Sequence, residues 1–232
     1  METNTRPFVL ITAGPTREAI DPVRFISNHS SGKMGYAIAG SFLNRGFDVV
    51  LISGPVNLSL NHQNLVTIKV NSADEMFEAA KLFFSRLDIA VFAAAVADYR
   101  PEIILDQKMK KSSDRFSLDM VKNVDIAREF GKIKTAGQVS VGFALETNDE
   151  ESNALQKLNT KGFDMVVLNS LRDESAAFGF DTNKITIITR DLQLERFPLK
   201  DKKEVAEDIV SRAIGLKTKQ YSTIYHNDIQ TV

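Results

Sequence analysis

The chain has 232 residues, a formal net charge of −1 and 25% charged residues, which is ordinary for a globular domain and gives no sign of a nucleic-acid-binding surface. It has no cysteines and only three histidines, which excludes disulfides, thiolate metal sites and cysteine nucleophiles. No apolar run approaches the roughly 20 residues that span a membrane, and the polar start lacks the layout of a signal peptide. We therefore expect a cytoplasmic protein that binds neither nucleic acid nor membrane.

The first part of the chain predicts the opening of a Rossmann-like sheet. A buried strand over residues 8–12 leads to Gly14, and a long polar loop follows over 16–33. A helix is expected over 34–45 and a second buried strand over 48–53. This order of strand, loop, helix and strand is typical of doubly wound α/β folds.

Strands and helices continue to alternate towards the carboxyl-terminal part, as short apolar runs and periodic segments indicate. The predicted strands cover 65–70, 89–95, 139–144, 165–169, 184–189 and 192–198, and the predicted helices run from Ser72 to about Arg86, over 149–161 and over 201–214. The expected fold is a single α/β domain over 1–216, Rossmann-like and doubly wound. Its mostly parallel sheet would end in an antiparallel pair, and a polar, frayed tail would occupy 217–232.

The segment 99–123 interrupts this alternation of strands and helices. It contains no convincing crossover helix, and residues 116–120 alternate like a strand, so we expect an arm or flap that leaves the sheet. Its lysines Lys108, Lys110 and Lys111 would be a solvated edge in the common case. Alternatively, they would bring ammonium groups to a triphosphate.

Small residues at the start of the first helix predict an anion site. Ser30, Ser31 and Gly32 precede the helix and Gly35 lies in its first turn, so unpaired backbone N–H groups could meet a phosphate. A helix simply capped by one of the serines is an equal alternative. A P-loop is absent because Lys33 precedes a methionine, and no acid ends the second strand to bind the ribose of NAD.

The polar loop would lie above the carboxyl ends of the parallel strands, where ligands bind in open α/β sheets. Arg24 or Arg17 could pair with an anionic substrate, and Asn28 could donate to a developing oxyanion. Turn bonding by Asn28 and a surface ion pair at Arg24 are the commoner uses of such residues. His29 is expected to form hydrogen bonds within the loop.

Two further features could contact a nucleotide. Residues 93–95 are alanines, which leave room for a flat ring, and Asp98 after them could face a ribose or a hydrated Mg²⁺ or could cap a turn. Lys157 and Lys161 lie one helical turn apart and could meet phosphates or form an exposed face.

Taken in order, these segments resemble the phosphopantothenoylcysteine synthetase family in its bacterial, CTP-dependent type. The blocks that carry the resemblance are 11–18 with 21–35, 94–99, 108–111, 122–126 and 142–147. The resemblance covers about residues 8–214 and implies a ligase of coenzyme A biosynthesis. In such a ligase the carboxylate of 4'-phosphopantothenate attacks the α-phosphate of CTP and pyrophosphate leaves. The amine of L-cysteine then attacks the acyl-cytidylate, and CMP leaves.

The resemblance also implies roles for residues. Asn28 would contact the acyl intermediate, Arg24 would support the substrate site, and Lys108 would belong to a flap that closes over the site, so these three are the expected catalytic residues. Together with the phosphate loop and the strand end described above, the expected nucleotide contacts are Gly14, Ser30, Ser31, Gly32, Gly35, Phe92, Ala93, Ala94, Asp98, Lys108, Lys122, Asn123, Val124, Asp125, Phe143, Lys157 and Lys161. Asp98 is also the expected contact, directly or through water, of a Mg²⁺ that accompanies CTP.

The family is dimeric, so the resemblance implies a homodimer in which the arm of one subunit reaches the site of the other. Many bacterial members carry a flavin-dependent decarboxylase ahead of the synthetase, whereas the motif here starts near residue 8. We therefore expect no flavin, and the decarboxylase would be a separate protein that could associate with this one. Two alternatives stay open: a Rossmann-like oxidoreductase with an unusual NADP loop, and a module that binds CTP without turning it over.

Overall fold

The computed structural model describes residues 6–110, 115–146, 148–170 and 181–229. The strands in these ranges are β1 Phe8–Ala13, β2 Arg17–Ala19, β3 Phe25–Ser27, β4 Asp48–Ser53, β5 Leu65–Lys69, β6 Ile89–Phe92, β7 Tyr99–Pro101, β8 Met120–Lys122, β9 Val139–Glu146, β10 Met165–Ser170, β11 Thr182–Asn183, β12 Ile185–Thr189, β13 Leu194–Arg196 and β14 Lys200–Asp201. The helices are α1 Lys33–Asn44, α2 Ala73–Phe84, α3 Ile126–Ile133, α4 Glu150–Thr160 and α5 Lys202–Ile229. Within these ranges, no helix is both long and apolar enough to cross a lipid bilayer.

Eight strands form one sheet in the order β13-β12-β10-β9-β6-β1-β4-β5. All neighbours from β5 to β10 are parallel, and β12 and β13 extend the sheet as antiparallel strands. The chain builds outward from β1 to β5 and then returns to lay down β6 on the other side of β1. The point of reversal therefore lies between β1 and β6. This confirms the predicted doubly wound, mostly parallel fold.

Helices cover both faces of the sheet and create two apolar layers. On one face, β1 presents Val9 and Ile11 towards α1 and α5; on the other, Leu10 packs towards α2, α3 and α4. Because each central strand is buried on both sides, its sequence is a continuous apolar run rather than an alternating one. In the second layer, the ring of Phe130 stacks on that of Phe84 with centroids 4.3 Å apart.

Three local predictions need correction. The polar loop contains a short hairpin, because β2 and β3 pair antiparallel. Helix α3 was not predicted, although its N-cap Asp125 accepts from the amide of Arg128 at 3.1 Å. The segment expected as a frayed tail is helical as far as Ile229, because α5 continues to that residue. Part of this extension is tied to the sheet by Lys217, whose Nζ lies 2.8 Å from Oδ1 of Asp88.

The predicted arm starts and ends in a hairpin formed by β7 and β8. Of the strand expected over 116–120, only Met120 belongs to β8, while Lys108 and Lys110 lie in irregular backbone, so they do not share the face of a strand. Lys111 lies outside the described residues. The chain after β7 instead folds back on the β2–β3 hairpin, where the amide of Leu105 donates to the carbonyl of Ile20 at 3.0 Å.

Candidate active site

The carboxyl ends of the strands around the point of reversal enclose two adjoining clefts. The larger one, the main cleft, has a volume of about 490 Å³ and lies between the N-terminus of α1, the segment after β6 and the end of β9. The smaller one, the side cleft, has a volume of about 170 Å³ and lies between the segment after β6 and the start of α3. Ala94, Val96, Asp98 and Phe143 line both clefts.

Most of the predicted nucleotide contacts meet at these clefts. The main cleft is lined by Asn28, Ser30, Ser31, Gly32, Gly35, Ala93, Ala94, Asp98, Phe143 and Lys157. The side cleft is lined by Phe92, Ala94, Asp98, Asn123, Val124, Asp125, Phe143 and Lys161. Four other predicted residues, Gly14, Arg24, Lys108 and Lys122, line neither cleft.

The N-terminus of α1 opens into the main cleft without a side-chain cap. Gly32 is the N-cap and has a φ of 76°, and among the described residues no side chain caps the helix. The prediction that Ser30 or Ser31 caps the helix is therefore wrong, and the alternative of exposed amides stands. Glycine is required here because a Cβ on Gly32 would lie 2.9 Å from Val56 and 3.3 Å from the Cα of Gly14. Gly14 thus packs directly against Gly32.

Asn28 is held in place by the segment that follows β6. Its Nδ2 donates to the carbonyls of Ala95 and Val96, both at 3.1 Å. This segment lies beside β1 because β6 ends at Phe92, earlier than predicted, and Ala95 then bridges to Pro15. The Asx turn considered for Asn28 is instead made by Asp21.

Asp21 connects the loop to the arm. Its side chain is buried, and its Oδ1 accepts from the amides of Val23 and Arg24 at 2.8 and 2.9 Å. Its Oδ2 accepts from Nε and Nη2 of Arg24 and from the amide of Met109 at 3.2 Å. Nη2 of Arg24 also donates to the carbonyl of Met109 at 3.0 Å. These bonds, with that of Arg24 foremost, hold the pKa of the Asp21 carboxyl well below its usual range.

Arg24 is therefore committed to an ion pair within its own chain, which was the commoner of the two uses considered for it. Lys108, next to Met109, is exposed outside the clefts. Lys122 is also exposed and belongs to β8.

The side cleft is organised by hydrogen bonds from the chain after β8. Nδ2 of Asn123 donates to the carbonyl of Ala97 at 2.8 Å, and its amide donates to the carbonyl of Asp98 at 2.9 Å. Nζ of Lys161 lies 3.1 Å from Oδ1 of Asp125. In the main cleft, Lys157 pairs with Glu146 at 2.7 Å.

Asp98 presents an exposed carboxylate to both clefts. Among the residues that the structure describes, no group of three or more acidic, histidine or cysteine side chains could hold a metal. The single carboxylate of Asp98 still fits Mg²⁺, because this ion is commonly bound by one or two carboxylates together with substrate phosphates and waters.

The end of β4 differs from a dinucleotide-binding site. Ser53 ends the strand, and its Oγ lies 3.1 Å from the hydroxyl of Tyr36. The described residues that follow this strand, Gly54, Pro55 and Val56, include no carboxylate, unlike the acid that binds the ribose in a dinucleotide site.

Several residues of the main cleft were not predicted from the sequence: Lys33, Leu145, Asn169, Asn183 and Lys202. Asn169 could have been suspected because it comes near the end of a buried strand, and its Oδ1 is buried without a hydrogen-bond partner in the described part of the chain. Lys202 gave no such signal, since it reaches the cleft only through the pairing of β11 with β14.

Residues 5–216 match the family described as the DNA/pantothenate metabolism flavoprotein C-terminal domain. The chain belongs to this family. One curated relative, named cysteine/cysteine sulfinic acid decarboxylase and from an unknown prokaryotic organism, is 50% identical over 208 residues, which are 90% of this chain and 58% of the relative. The coenzyme A biosynthesis bifunctional protein CoaBC of Bacillus subtilis is 44% identical over 208 residues, 90% of this chain and 51% of that protein.

Among solved structures, the C-terminal domain of a coenzyme A biosynthesis bifunctional protein CoaBC is 38% identical, with a TM-score of 0.78. The similarity covers 92% of this chain and 97% of that one. The chain thus spans 58% and 51% of these two curated relatives but nearly all of this solved family domain.

Proposed function

We propose that this chain is a ligase of coenzyme A biosynthesis that joins 4'-phosphopantothenate to L-cysteine with CTP. An oxygen of the phosphopantothenate carboxylate bonds to the α-phosphorus of CTP, and the bond to the leaving pyrophosphate breaks. The cysteine nitrogen then bonds to the acyl carbon and loses a proton, and CMP leaves with the electrons of the acyl–oxygen bond. One amide, one CMP and one pyrophosphate result.

A single observation carries this proposal: the residues of four separate sequence blocks meet at the clefts beside the reversal point of the sheet. The phosphate loop, the segment after β6, the start of α3 and the end of β9 are far apart in sequence but share these walls. The relatives named for coenzyme A biosynthesis support the assignment to this pathway.

The cleft residues suit the charges of the reaction. The uncapped amides at the start of α1 can receive a phosphate, and Asp98 would hold Mg²⁺, which when bound neutralises charge on the phosphates. Both hydrogens of Nδ2 of Asn28 are donated to the carbonyls of Ala95 and Val96, so in the proposed reaction this amide holds the segment after β6 in position rather than donating to the acyl oxygen. A cleft wall fixed in this way needs no reorganisation when the acyl charge develops.

The arm fits a homodimer in which it crosses to the partner. Lys108 lies outside the clefts of its own chain, while several apolar side chains on the arm and the nearby hairpin are exposed, among them Phe25, Ile103 and Ile104 at 49%, 69% and 57%. Burial of such a patch against a second copy would remove apolar surface from water. The crossing arm would bring Lys108 to the other subunit's site.

The test is pyrophosphate release by the purified protein with 4'-phosphopantothenate, L-cysteine and Mg²⁺, comparing CTP with ATP. Release that requires phosphopantothenate and prefers CTP is the expected result. A preference for ATP would keep the ligase and replace the nucleotide, whereas no release from a folded sample would refute the activity. Omitting FMN from every reaction also tests the expectation that no flavin is needed, and copurification with a separate decarboxylase tests that partner.

A further inference from the structure

Two lysines that the sequence analysis did not assign to the site line the main cleft. Lys33 is the first residue of α1 and Lys202 is the first residue of α5. Nζ of Lys33 lies 2.5 Å from Oδ1 of Asp181. Both ammonium groups therefore lie at the same end of the molecule as the predicted phosphate loop.

A small two-stranded sheet brings Lys202 to this position. Thr182 of β11 pairs with Asp201 of β14, and the ladder continues through the bond from the amide of Lys202 to the carbonyl of Asp181 at 2.9 Å. As α1 and α5 pack side by side on one face of the sheet, their N-termini lie together. The N-terminus of α1, which has no side-chain cap, adds its positive end to the two ammonium groups, whereas that of α5 is capped by Asp201, whose Oδ1 accepts from the amide of Lys203 at 2.8 Å.

The charges in this region favour a bound anion. The charged lysine and aspartate side chains that line the main cleft in the described chain are Lys33, Lys157, Lys202 and Asp98. Burial, followed by the charge of Lys33, lowers the pKa of Lys202, while the attraction of Asp181 and Asp201 opposes this shift. A phosphate that enters between two ammonium groups in a partly desolvated site is attracted by both of them.

Asp181 supplies part of that compensation. The hydrogen bond from Lys33 lowers the pKa of the Asp181 carboxyl, so it is ionised at neutral pH. Asp181 is itself exposed, and an ion pair in such a setting contributes little and exchanges readily. A phosphate can replace the carboxylate with stronger, multivalent bonding.

We propose that Lys33 and Lys202 form a phosphate subsite of the main cleft, and that Asp181 is an internal counter-ion displaced from Lys33 when a phosphate enters. This inference rests on the proposed function, in which two substrates carry phosphate: the nucleotide, through its terminal phosphates, and 4'-phosphopantothenate. Both substrates present a phosphate group, and the set of ligands in the experiment shows which of the two binds at the subsite.

The experiment measures equilibrium binding to the full chain by calorimetry, without turnover. The variants are Lys33→Gln, Lys202→Gln and Asp181→Asn, and Lys203→Gln is the matched control because Lys203 is exposed and lines neither cleft. The ligands are CTP, CMP, pyrophosphate, 4'-phosphopantothenate and pantothenate. Each loss of a charge-assisted bond should weaken phosphate binding about tenfold.

If the nucleotide is the source, both lysine variants lose affinity for CTP and pyrophosphate but not for CMP. If the other substrate is the source, they lose affinity for 4'-phosphopantothenate but not for pantothenate. In either case Asp181→Asn should bind that same ligand severalfold more tightly, an effect of opposite sign that a purely structural role would not produce.

The subsite would be refuted if both lysine variants keep every affinity within about twofold, or if Asp181→Asn weakens binding as they do. Because binding is measured without turnover, failure of the subsite can be distinguished from failure of the proposed reaction. Lysine-dependent binding in a protein that releases no pyrophosphate would refute the ligase and leave the subsite intact.

Discussion

Asn28 is the residue whose local contacts predict the sharpest effect on the proposed reaction. Asn28→Asp would place carboxylate oxygens against the carbonyls of Ala95 and Val96, which now accept from Nδ2 at 3.1 Å. We expect turnover to fall about a hundredfold, while CTP affinity changes by less than about threefold. Coupled product formation and nucleotide binding measure the two effects.

A control for this substitution is available at Asn64, just before β5. Its Oδ1 accepts from Nη1 of Arg6 at 2.8 Å, and the residue lines neither cleft. Asn64→Asp should therefore keep nearly normal turnover. Normal coupled turnover by Asn28→Asp would remove Asn28 from the mechanism.

Asp21 predicts an effect on both activity and acid stability. Asp21→Asn weakens the bonds to Arg24 and to the amide of Met109, so the arm loses its anchor and we expect kcat/KM to fall roughly tenfold. Because the folded carboxyl has a pKa below its ordinary value of 3.8, its stabilisation is present above that pH and is lost as pH falls below it.

The difference in unfolding midpoint between the parent protein and Asp21→Asn should accordingly be constant from pH 7 to 5 and shrink below pH 4. Urea unfolding at a series of pH values measures it. A difference that grows in acid would contradict the ionised state of Asp21.

For single residues, the sequence predicted positions in the fold better than contacts. Both Asn28 and Asp98 line the main cleft. Asp98 follows a strand that an apolar run marks clearly, and Asn28 belongs to the polar loop expected above the strand ends. The partner of Arg24 was not predictable. Its choice between a substrate anion and Asp21 depends on a three-residue turn and on Met109 from a distant segment.

Among the elements, the end of α3 is joined to the sheet by a buried ion pair. Nζ of Lys134 lies 2.5 Å from Oδ2 of Asp164, each side chain being 10% exposed, and the same oxygen accepts from the amide of Ser140 at 2.8 Å. Asp164→Asn leaves the ammonium buried without its counter-ion, and we expect a loss of about 3 kcal/mol in the free energy of unfolding. Denaturant unfolding at pH 7 measures this loss.

The exposed pair Glu129–Lys132 on α3 provides the control, with a separation of 2.5 Å and exposures of 39% and 56%. Glu129→Gln should cost less than about 1 kcal/mol. Burial lowers the pKa of Lys134, so in Asp164→Asn the destabilisation should diminish as pH rises towards 10.5, where the unfolded lysine also loses its proton. If both variants lost the same free energy of unfolding, burial of the Lys134–Asp164 pair would not be the cause of the loss.

The elements that the sequence predicted are those with long apolar runs or clear caps. The sequence places the start of a helix at Ser72, and Ser72 caps α2 by accepting from the amide of Glu75 at 3.2 Å. The side chain of Glu75 bonds back to a neighbouring residue, since its Oε2 accepts from the amide of Asn71 at 2.7 Å rather than from that of Ser72. The β2–β3 hairpin escaped prediction because strands of three residues leave no measurable period.

For the whole molecule, the doubly wound, mostly parallel sheet followed from the alternation of strands and helices, whereas the order of its strands was not predicted. The convergence of Lys33 and Lys202 did not follow from it. That meeting depends on the two-residue ladder between β11 and β14 and on the packing of α1 against α5, neither of which has a local sequence signal.

The proposed exchange of arms predicts complementation between two impaired chains. Asn28→Asp should disable the cleft, and Lys108→Gln should disable the arm, so each homodimer would have low turnover. In a mixed dimer, the intact arm of the first chain would reach the intact cleft of the second and restore one site. If subunits mix at random, half of the dimers carry one restored site, and turnover should recover to roughly a quarter of the parent value.

Turnover of an equimolar mixture, denatured and refolded together, is compared with that of the separately refolded variants combined afterwards. If each arm acts on its own chain, every cleft in the mixed dimer keeps one defect, and turnover stays at the average of the two variants. That result would reject arm exchange even if the protein is a dimer. Recovery would also explain why Lys108 stands outside the clefts of the chain that carries it, since its place in the site is then completed by the second subunit.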